Sequence, residues 1–596
     1  MTCRQNEVKP RMEYPRPEFE RDSYLNLNGE WQFQYDDEDI GLKEQWFENK
    51  HFNRTIIVPY TYLCELSGIH ESEFHDVVWY QKEFSFDDFS LKDRIILHFG
   101  AVDYEADVWV NGRHMIHHVG GSVPFQTDIS DVITKEGSNT ITVRARDYSF
   151  DLELPRGKQY WKPQSESIFY TRTVGIWQTV WIESVSRNYI ESARIHSDLD
   201  GKLAEMDFQL CGRDDKYLEV EISLDGRTLI SDRIKVLNDS VKRKFCLNEE
   251  ITLDWNIQES WTWSPENPVL FDVKLTVFKE GKEEPEDFVR TYFAFRKISI
   301  ENGKLMLNNR PYYMKMVLDQ GYWPQSLLTA PTDDYFVKDI LSCKRMGFNG
   351  ARKHQKVEDP RYLYWADKLG FLVWGESASA YVYSQRYVER ATSEWLQILW
   401  RDYNHPCIVA WVPLNESWGV LEIMNQAQQQ AHSLSLYYMI KSLDQTRLVI
   451  SNDGWQHTKS DIVTIHDYES SREVLEERYA SLDKILTSTP GERTIFAQGF
   501  RYKGEPIIIS EFGGIAFNKG TEKGWGYSSS TDEEDFIDRY QAVVSAVMES
   551  PCVQGFVYTQ LTDIENEING LLTYDRVFKV DPDIICRINE NKRIEK

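Results

Sequence analysis

Two glutamates in this chain have the setting of a chemical site. Glu416 closes the run CIVAWVPLNE and Glu511 follows PIIIS, so each carboxylate directly follows a long apolar segment of strand character. Placing a carboxylate there has a desolvation cost that structure alone does not require. As a pair they suit glycoside hydrolysis. One carboxylic acid protonates the leaving oxygen, and the other carboxylate stabilises or captures the anomeric centre. In a retaining enzyme the two groups stand about 5–5.5 Å apart, with no room for an intervening water. The charge of the nucleophile is then expected to raise its neighbour's pKa and keep the acid protonated near neutral pH. Singly, a strand-end glutamate reads equally well as the salt-bridge partner of a residue such as Arg352. The pair tips the balance toward catalysis.

Such a pair needs a scaffold that brings strand ends together. After residue 299, apolar strand-like runs alternate with segments of helical period. The runs are 312–317, 348–352, 371–376, 407–416, 448–453, 462–468, 506–512 and 555–560, with helical stretches such as DDYFVKDILSCKRMG between them. Eight β-then-α units in this length predict a (β/α)8 barrel, whose active site lies at the C-terminal strand ends. Strands 4 and 7 face each other across such a mouth, so Glu416 and Glu511 can converge. The other strand ends are also polar: Asp319-Gln320, Arg352-Lys353-His354, Glu376, Asn452-Asp453, His466-Asp467-Tyr468 and Gln560.

The first half has a different rhythm. From about 20 to 185, short alternating runs such as EWQFQY, EADVWVNG and QTVWIES are separated by turns at Asn28-Gly29 and Asn111-Gly112, the pattern of an antiparallel sandwich. A second all-β stretch from about 186 to 298 has the size of one immunoglobulin-like sandwich. The expected division is 1–185, 186–298 and 299–596.

Composition narrows the partners. The formal net charge is −27, from 95 acidic and 68 basic residues, a field that repels phosphate backbones and anionic membranes, so no nucleic acid or membrane partner is expected. Aromatics make up 13% of the chain, enough to fill large cores and to offer platforms for sugar rings as well. The opening segment MTCRQNEVKPRMEYPRPEFE has no apolar signal region, and the eight scattered cysteines form no CxxC pair; both suit free thiols in a cytoplasmic protein. His354, His457 and His466 stand singly, without the HxH of metal-dependent hydrolase barrels, so no metal and no cofactor are expected.

With these residues in view, the chain resembles glycoside hydrolase family 2, the family of bacterial β-galactosidases and β-glucuronidases. The resemblance runs through LNGEWQF, VDYEADVWVNG, TVGIWQTVWIE and FRKISIENGKLMLNNRPYY, and is strongest in NHPCIVAWVPLNESW and IIISEFGG. It implies a jelly-roll sugar-binding domain, an immunoglobulin-like domain and a catalytic barrel. It also implies that Glu416 is the acid/base, Glu511 the nucleophile and Asn415 the partner of the sugar 2-hydroxyl. Tyr468 and Arg352 would hold the nucleophile's carboxylate. Family members often assemble, so a homo-oligomer is implied, with a partner's sandwich loop as one means of closing the pocket.

Several stretches depart from the family pattern. After Arg352 the chain reads Lys353-His354-Gln355, one residue tighter than the family's strand-2 signature, which divides His354 evenly between sugar binding and structure. Where β-glucuronidases carry an Asn-x-Lys grip on the substrate carboxylate, this chain has Glu567-Ile568-Asn569. A glutamate there would repel a uronate, leaving Lys353 or Arg576 as substitutes from elsewhere. Strand 8 ends in Tyr558-Thr559-Gln560 instead of the usual tryptophan, so the floor of the sugar pocket falls to another ring such as Trp525. Asp319 and His466 complete the set of candidate substrate contacts.

The reading that results is an exo-acting retaining enzyme on glycoside or oligosaccharide substrates, β-galactosidase-like. Its rivals within the family are α-L-arabinosidase, β-glucosidase, β-mannosidase and uronidase. From other classes come a catalytically silent carbohydrate-binding protein and a metal-dependent amidohydrolase.

Overall fold

A computed structural model of the protein describes residues 10–87, 89–247, 260–519 and 524–591. The N-terminal part is a jelly-roll β-sandwich. A six-stranded antiparallel sheet, whose central strands are Val77–Phe84 and Asn139–Arg146, packs on a four-stranded sheet built around Val180–Val185 and Arg94–Phe99. Alternation puts Phe33, Tyr80, Leu97, Val108, Val143 and Ile182 in one buried core between the sheets. Asn111 and Gly112 both take positive φ (50° and 76°), the mirror-image turn that a two-residue hairpin between Glu105–Val110 and Arg113–Val119 requires.

The second part is an immunoglobulin-like sandwich of a three-stranded and a four-stranded antiparallel sheet, spanning Tyr189–Asp198 to Pro285–Phe293. Its core is separate and includes Met206, Phe208, Val220, Leu275 and Val289.

The third part is the (β/α)8 barrel. Its strands are β1 (Met314–Asp319), β2 (Gly350–Lys353), β3 (Leu372–Glu376), β4 (Ile408–Val412), β5 (Leu448–Val449), β6 (Val463–Asp467), β7 (Ile507–Gly513) and β8 (Val553–Thr559). Each overlaps one of the eight runs read from the sequence. The parallel ladder passes from β5 through β4, β3, β2, β1, β8 and β7 to β6. Across the seam between β5 and β6, Asp461 N–H donates to the Val449 carbonyl (2.8 Å) and its carboxylate accepts from Val449 N–H (2.9 Å). The helices start where side chains can accept the unsatisfied first-turn amides: Asp359 caps Pro360–Leu369, Ser384 caps Gln385–Asp402 and Asp532 caps Glu533–Met548. Ile408, Val409, Ile465, Ile508, Ile509 and Val557 belong to the buried barrel core, which places their polar successors at its mouth.

A segment of the N-terminal domain, residues 157–171, lies across that mouth. Gly157 N–H donates to Ser379 O (3.0 Å), and Tyr381 Oη donates to Gly157 O (2.6 Å) and Gln159 O (2.9 Å). On the opposite side Trp525 Nε1 donates to Ser167 O (3.0 Å), Asn566 Nδ2 to Ser165 O (3.0 Å) and Tyr170 Oη to Glu567 Oε2 (2.6 Å). Gly157 has φ of 59°, and a Cβ there would stand 2.6 Å from Gln355 O, so the close approach needs glycine. The chain's own sandwich thus contributes to the wall of the mouth. Among the described residues no helix is long and apolar enough to cross a membrane, and the described cysteines are all free; Cys3 lies outside the described residues.

Candidate active site

Arg352, on β2, organises the centre. Its guanidinium is fully buried and meets three carboxylates and an amide: Nε to Glu376 Oε2 (2.8 Å), Nη1 to Asp453 Oδ2 (2.5 Å) and Glu511 Oε1 (2.8 Å), and Nη2 to Asn415 Oδ1 (2.6 Å). Burial disfavours the charge, but these carboxylates outweigh burial and hold the guanidinium firmly protonated. Glu511, on β7, receives a second hydrogen bond from Tyr468 Oη to its other oxygen (2.5 Å). The Tyr468 ring lies flat on Tyr527, centroids 3.4 Å apart and planes within 5°. Burial, then the Glu511 charge, raises the Tyr468 pKa well above its ordinary value, so the phenol stays a donor.

Glu416 sits on the turn after β4. Both Glu416 and Ser417 adopt left-handed backbone (φ 51° and 60°), a conformation that costs about 1–2 kcal/mol for a residue with a Cβ. It is held by Glu416 N–H donating to Asp453 O (2.9 Å) and Ser417 N–H to Asn452 Oδ1 (2.9 Å). The turn aims the Glu416 carboxylate at His466. His466 Nδ1 lies 2.8 Å from Glu416 Oε1, and its Nε2 lies 2.9 Å from Asp453 Oδ2 and 3.5 Å from Glu511 Oε1. Gly454 permits this: a Cβ there would stand 2.6 Å from His466 Nδ1.

The proton balance differs from the sequence expectation. Burial acts to lower the His466 pKa, but the charges of Glu511 and Asp453 and the hydrogen bonds to Asp453 and Glu416 push it up to about 10. At neutral pH His466 is an imidazolium that bridges two carboxylates. For Glu416, burial is the largest influence and acts upward, yet the hydrogen bond and charge of His466, then Lys158 and Arg352, leave its pKa lowered. The expectation that the neighbouring glutamate keeps Glu416 protonated is therefore corrected: the proton rests on His466. The sequence could not show this, because His466 lies 50 residues from Glu416 and acts only through the fold.

A stability test follows from that shift. The folded pKa of His466 lies above its ordinary 6.5, so its contribution is complete below about pH 6.5 and is lost as pH rises through 10. Its full size is on the order of 5 kcal/mol. The stability difference between the protein and its His466→Gln variant should therefore shrink steadily from pH 6.5 to 10 in denaturant titrations. A difference that stays constant over this range would show that His466 is neutral.

The other candidates divide. Asn415 and Arg352 meet at the centre. His354 is buried beside it, with Nδ1 3.2 Å from Glu376 Oε1 and Nε2 4.0 Å from Glu511 Oε1, and burial then the Arg352 charge lower its pKa so that it stays neutral. Asp319 instead pairs with Lys353 (2.7 Å), whose ammonium also meets Glu358 (2.8 Å); among the described residues no hydrogen bond or ion pair joins Asp319 to Glu416 or Glu511. Arg576 is bound to Asp339 and Tyr322 O. Lys353 and Arg576, the substitutes for a carboxylate grip, are thus both committed elsewhere. Trp525 stands at the rim and holds the N-terminal segment, while the ring against Tyr468 is Tyr527. Asp453, Glu376, Tyr527 and Lys158 were not singled out from sequence. The first two stand at polar strand ends, a signal that was present; Lys158, in a sandwich loop, gave none.

Glu416, His466 and Glu511 each offer an oxygen or nitrogen within 4.8 Å of the others, the spacing of a three-ligand cation site. The donor set does not fit one, because both His466 nitrogens are already bonded to carboxylates.

Comparisons with known proteins agree with this architecture. Residues 24–162 match the model for the glycosyl hydrolases family 2 sugar-binding domain, 188–296 the model for glycosyl hydrolases family 2, and 298–579 the family 2 TIM barrel domain. A beta-galactosidase of Thermoanaerobacter pseudethanolicus is 25% identical over 69% of this chain and 54% of its own length. The beta-glucuronidase of Felis catus is 22% identical over 84% of this chain and 79% of its own. The chain spans about half the length of the bacterial relatives it matches (48% and 54%). Among solved structures, Ruminococcus gnavus beta-glucuronidase superimposes with a TM-score of 0.76 at 17% identity, covering 98% of this chain and 100% of that one. A family 2 beta-galacturonidase from Eisenbergiella tayi gives 0.74 at 18%, covering 98% and 99%. These structural likenesses show the fold. With all three domain models matched in order along the chain, the protein belongs to glycoside hydrolase family 2.

Proposed function

We propose that the protein is a retaining exo-β-glycosidase for a neutral, galactose-like sugar, with Glu511 as nucleophile and Glu416 as acid/base. One observation carries the reading: oxygens of the two carboxylates lie within 4.8 Å of each other. That spacing fits direct attack on the anomeric carbon and is too short for the roughly 6.5–9.5 Å of an inverting pair. Arg352 and Tyr468 grip Glu511 from two sides and keep it aimed.

In the first half-reaction Glu511 bonds to the anomeric carbon as the bond to the leaving oxygen breaks, and Glu416 delivers a proton to that oxygen. The His466 imidazolium supplies it. Glu511 is the foremost charge raising the His466 pKa, so when glycosylation neutralises Glu511, His466 releases its proton more readily through Nδ1 to Glu416. In the second half-reaction Glu416 takes a proton from water, which attacks the anomeric carbon and frees Glu511. As Glu511 regains its charge, the proton returns from Glu416 to His466 Nδ1 and the starting state is restored. Exo action suits a mouth roofed by residues 157–171, which leaves the Glu511 side chain 5% exposed and that of Glu416 17%. A neutral sugar suits Glu567, a buried carboxylate at the pocket edge where the Asn-x-Lys grip of β-glucuronidases would stand. The names of relatives favour a uronate instead, and galactoside against galacturonide turnover separates the two.

Glu416→Ala tests the acid. On unactivated alkyl glycosides it should lose on the order of 10³-fold in kcat/KM, within the usual range for general acid catalysis, while 2,4-dinitrophenyl glycosides should retain near-normal glycosylation rates. Equal loss on both would remove Glu416 as the acid.

A further inference from the structure

Among the described residues, the buried lysines around the barrel mouth are, with one exception, fully engaged. Lys353 meets Asp319 and Glu358 (2.7 and 2.8 Å), Lys356 donates to Gly321 O and Leu328 O (2.6 and 2.8 Å), and Lys579 donates to Asp563 and Ile568 O (2.6 and 2.8 Å). Lys158 is the exception. It is 8% exposed, yet among the described residues its ammonium has no hydrogen bond or ion pair. Its contact is the face of Trp418, 5.2 Å from the ring centroid, two residues beyond Glu416. The Nζ keeps contact with solvent at the mouth, so the ammonium is a donor that no acceptor of the described residues takes and that a ligand hydroxyl can reach.

The backbone fixes Lys158 there. Its carbonyl accepts from Tyr170 N–H (2.8 Å), the preceding Gly157 is bound to Ser379 and Tyr381, and Tyr170 Oη donates to Glu567 (2.6 Å). One strap therefore holds the lysine and the glutamate together at the pocket. Lys158 acts electrostatically on three pocket residues: it lowers the pKa of Glu416 and of His354, and opposes the burial that raises Glu567. Its charge already acts on two carboxyl groups, Glu416 and Glu567, which leaves little of it to neutralise a further carboxylate. A donor beside an acceptor is instead what a sugar hydroxyl needs.

We infer that Lys158, delivered by the N-terminal sandwich, is a specificity-determining substrate contact that donates to a 4- or 6-hydroxyl of a neutral sugar, with Glu567 beside it as acceptor. This rests on the glycosidase reading above. It also gives the sandwich a direct part in substrate recognition at the barrel.

The test compares the protein with Lys158→Met, which keeps the apolar stem on Trp418. Substrates are the preferred neutral nitrophenyl glycoside, its 4-deoxy and 6-deoxy forms, and the matching uronide. The variant should lose about 10- to 150-fold in kcat/KM on the parent glycoside, the usual worth of a hydrogen bond to a charged group. On the deoxy form lacking the contacted hydroxyl it should lose almost nothing, with an unchanged unfolding midpoint. Equal loss on parent and both deoxy forms would overturn the contact, since a merely structural lysine gives that result. A wild-type preference for the uronide that vanishes in the variant would overturn the neutral sugar and place a carboxylate on Lys158. Calorimetric titration of the free sugar and its deoxy forms reads the same coupling without turnover. Coupling in binding with no hydrolysis would sink the glycosidase reading and keep Lys158; hydrolysis without coupling would do the reverse.

Discussion

Glu511→Ala should reduce turnover of every substrate on the order of 10⁵-fold, the scale on which loss of a nucleophile acting within a unit is felt. Without this carboxylate the anomeric carbon has no covalent partner, and the residual binding and acid functions cannot compensate. The fold should survive, because the partners that Glu511 leaves behind are not stranded. Arg352 keeps Glu376, Asp453 and Asn415, and Tyr468 keeps Thr559 Oγ1 at 3.2 Å. A small anion such as azide fits the vacated space and should restore part of the rate on activated substrates, with an α-glycosyl azide as product from a β-glycoside. Detection of that product by NMR would establish both the residue and the retaining stereochemistry. Full activity in the variant would remove Glu511 as nucleophile and leave the carboxylate spacing without a chemical role.

Arg352→Met should be the most damaging substitution to the fold as well as to activity. The side chain is 0% exposed and links Glu376, Asp453 and Glu511 around one guanidinium. Its removal leaves three buried carboxylates with one fewer positive charge, and breaking even a single buried pair typically costs about 3–5 kcal/mol. The sign of the pH response is also defined. Asp453 has its pKa held well below the ordinary carboxylate value by Arg352 and then His466, against burial. In the native protein this contribution is present above the unfolded carboxylate pKa and disappears as pH falls through the folded one. Without Arg352 part of it is gone at neutral pH, so the variant's deficit in unfolding free energy should hold from pH 7 down to about pH 4 and shrink only below that, as the native carboxylate protonates. Arg352→Lys should recover some stability and little activity, since one ammonium cannot reproduce the fork that reaches Glu376, Asn415 and Glu511 together. A variant as stable as the parent at pH 7 would contradict this account of the centre.

The barrel was legible because its evidence is local. An apolar run such as PIIIS is buried on both faces and needs no partner to identify it as a strand, and eight such runs alternating with helical periods leave few architectures. Glu416 and Glu511 were legible for the same reason: each interrupts apolar burial at a strand end. His354 and Asp319 share that position, yet the tertiary structure gives the first a place beside Glu511 and binds the second to Lys353. Position along a strand determines which end of the barrel a side chain reaches, and side-chain partners then decide what it faces.

By itself, then, the sequence determined the three-part architecture, the end of the barrel that carries the candidate site, and the two carboxylates proposed for its centre. These follow from periodicity and order along the chain. Only the tertiary structure decided where the proton rests and which buried lysine at the mouth has no protein acceptor among the described residues. His466 is charged because Asp453, Glu511 and Glu416 converge on it in a buried space. The Lys158 segment reaches the barrel because Tyr170 hydrogen-bonds Glu567, a barrel residue 397 positions away. Charge state and pairing depend on distance and burial, which residue order does not specify.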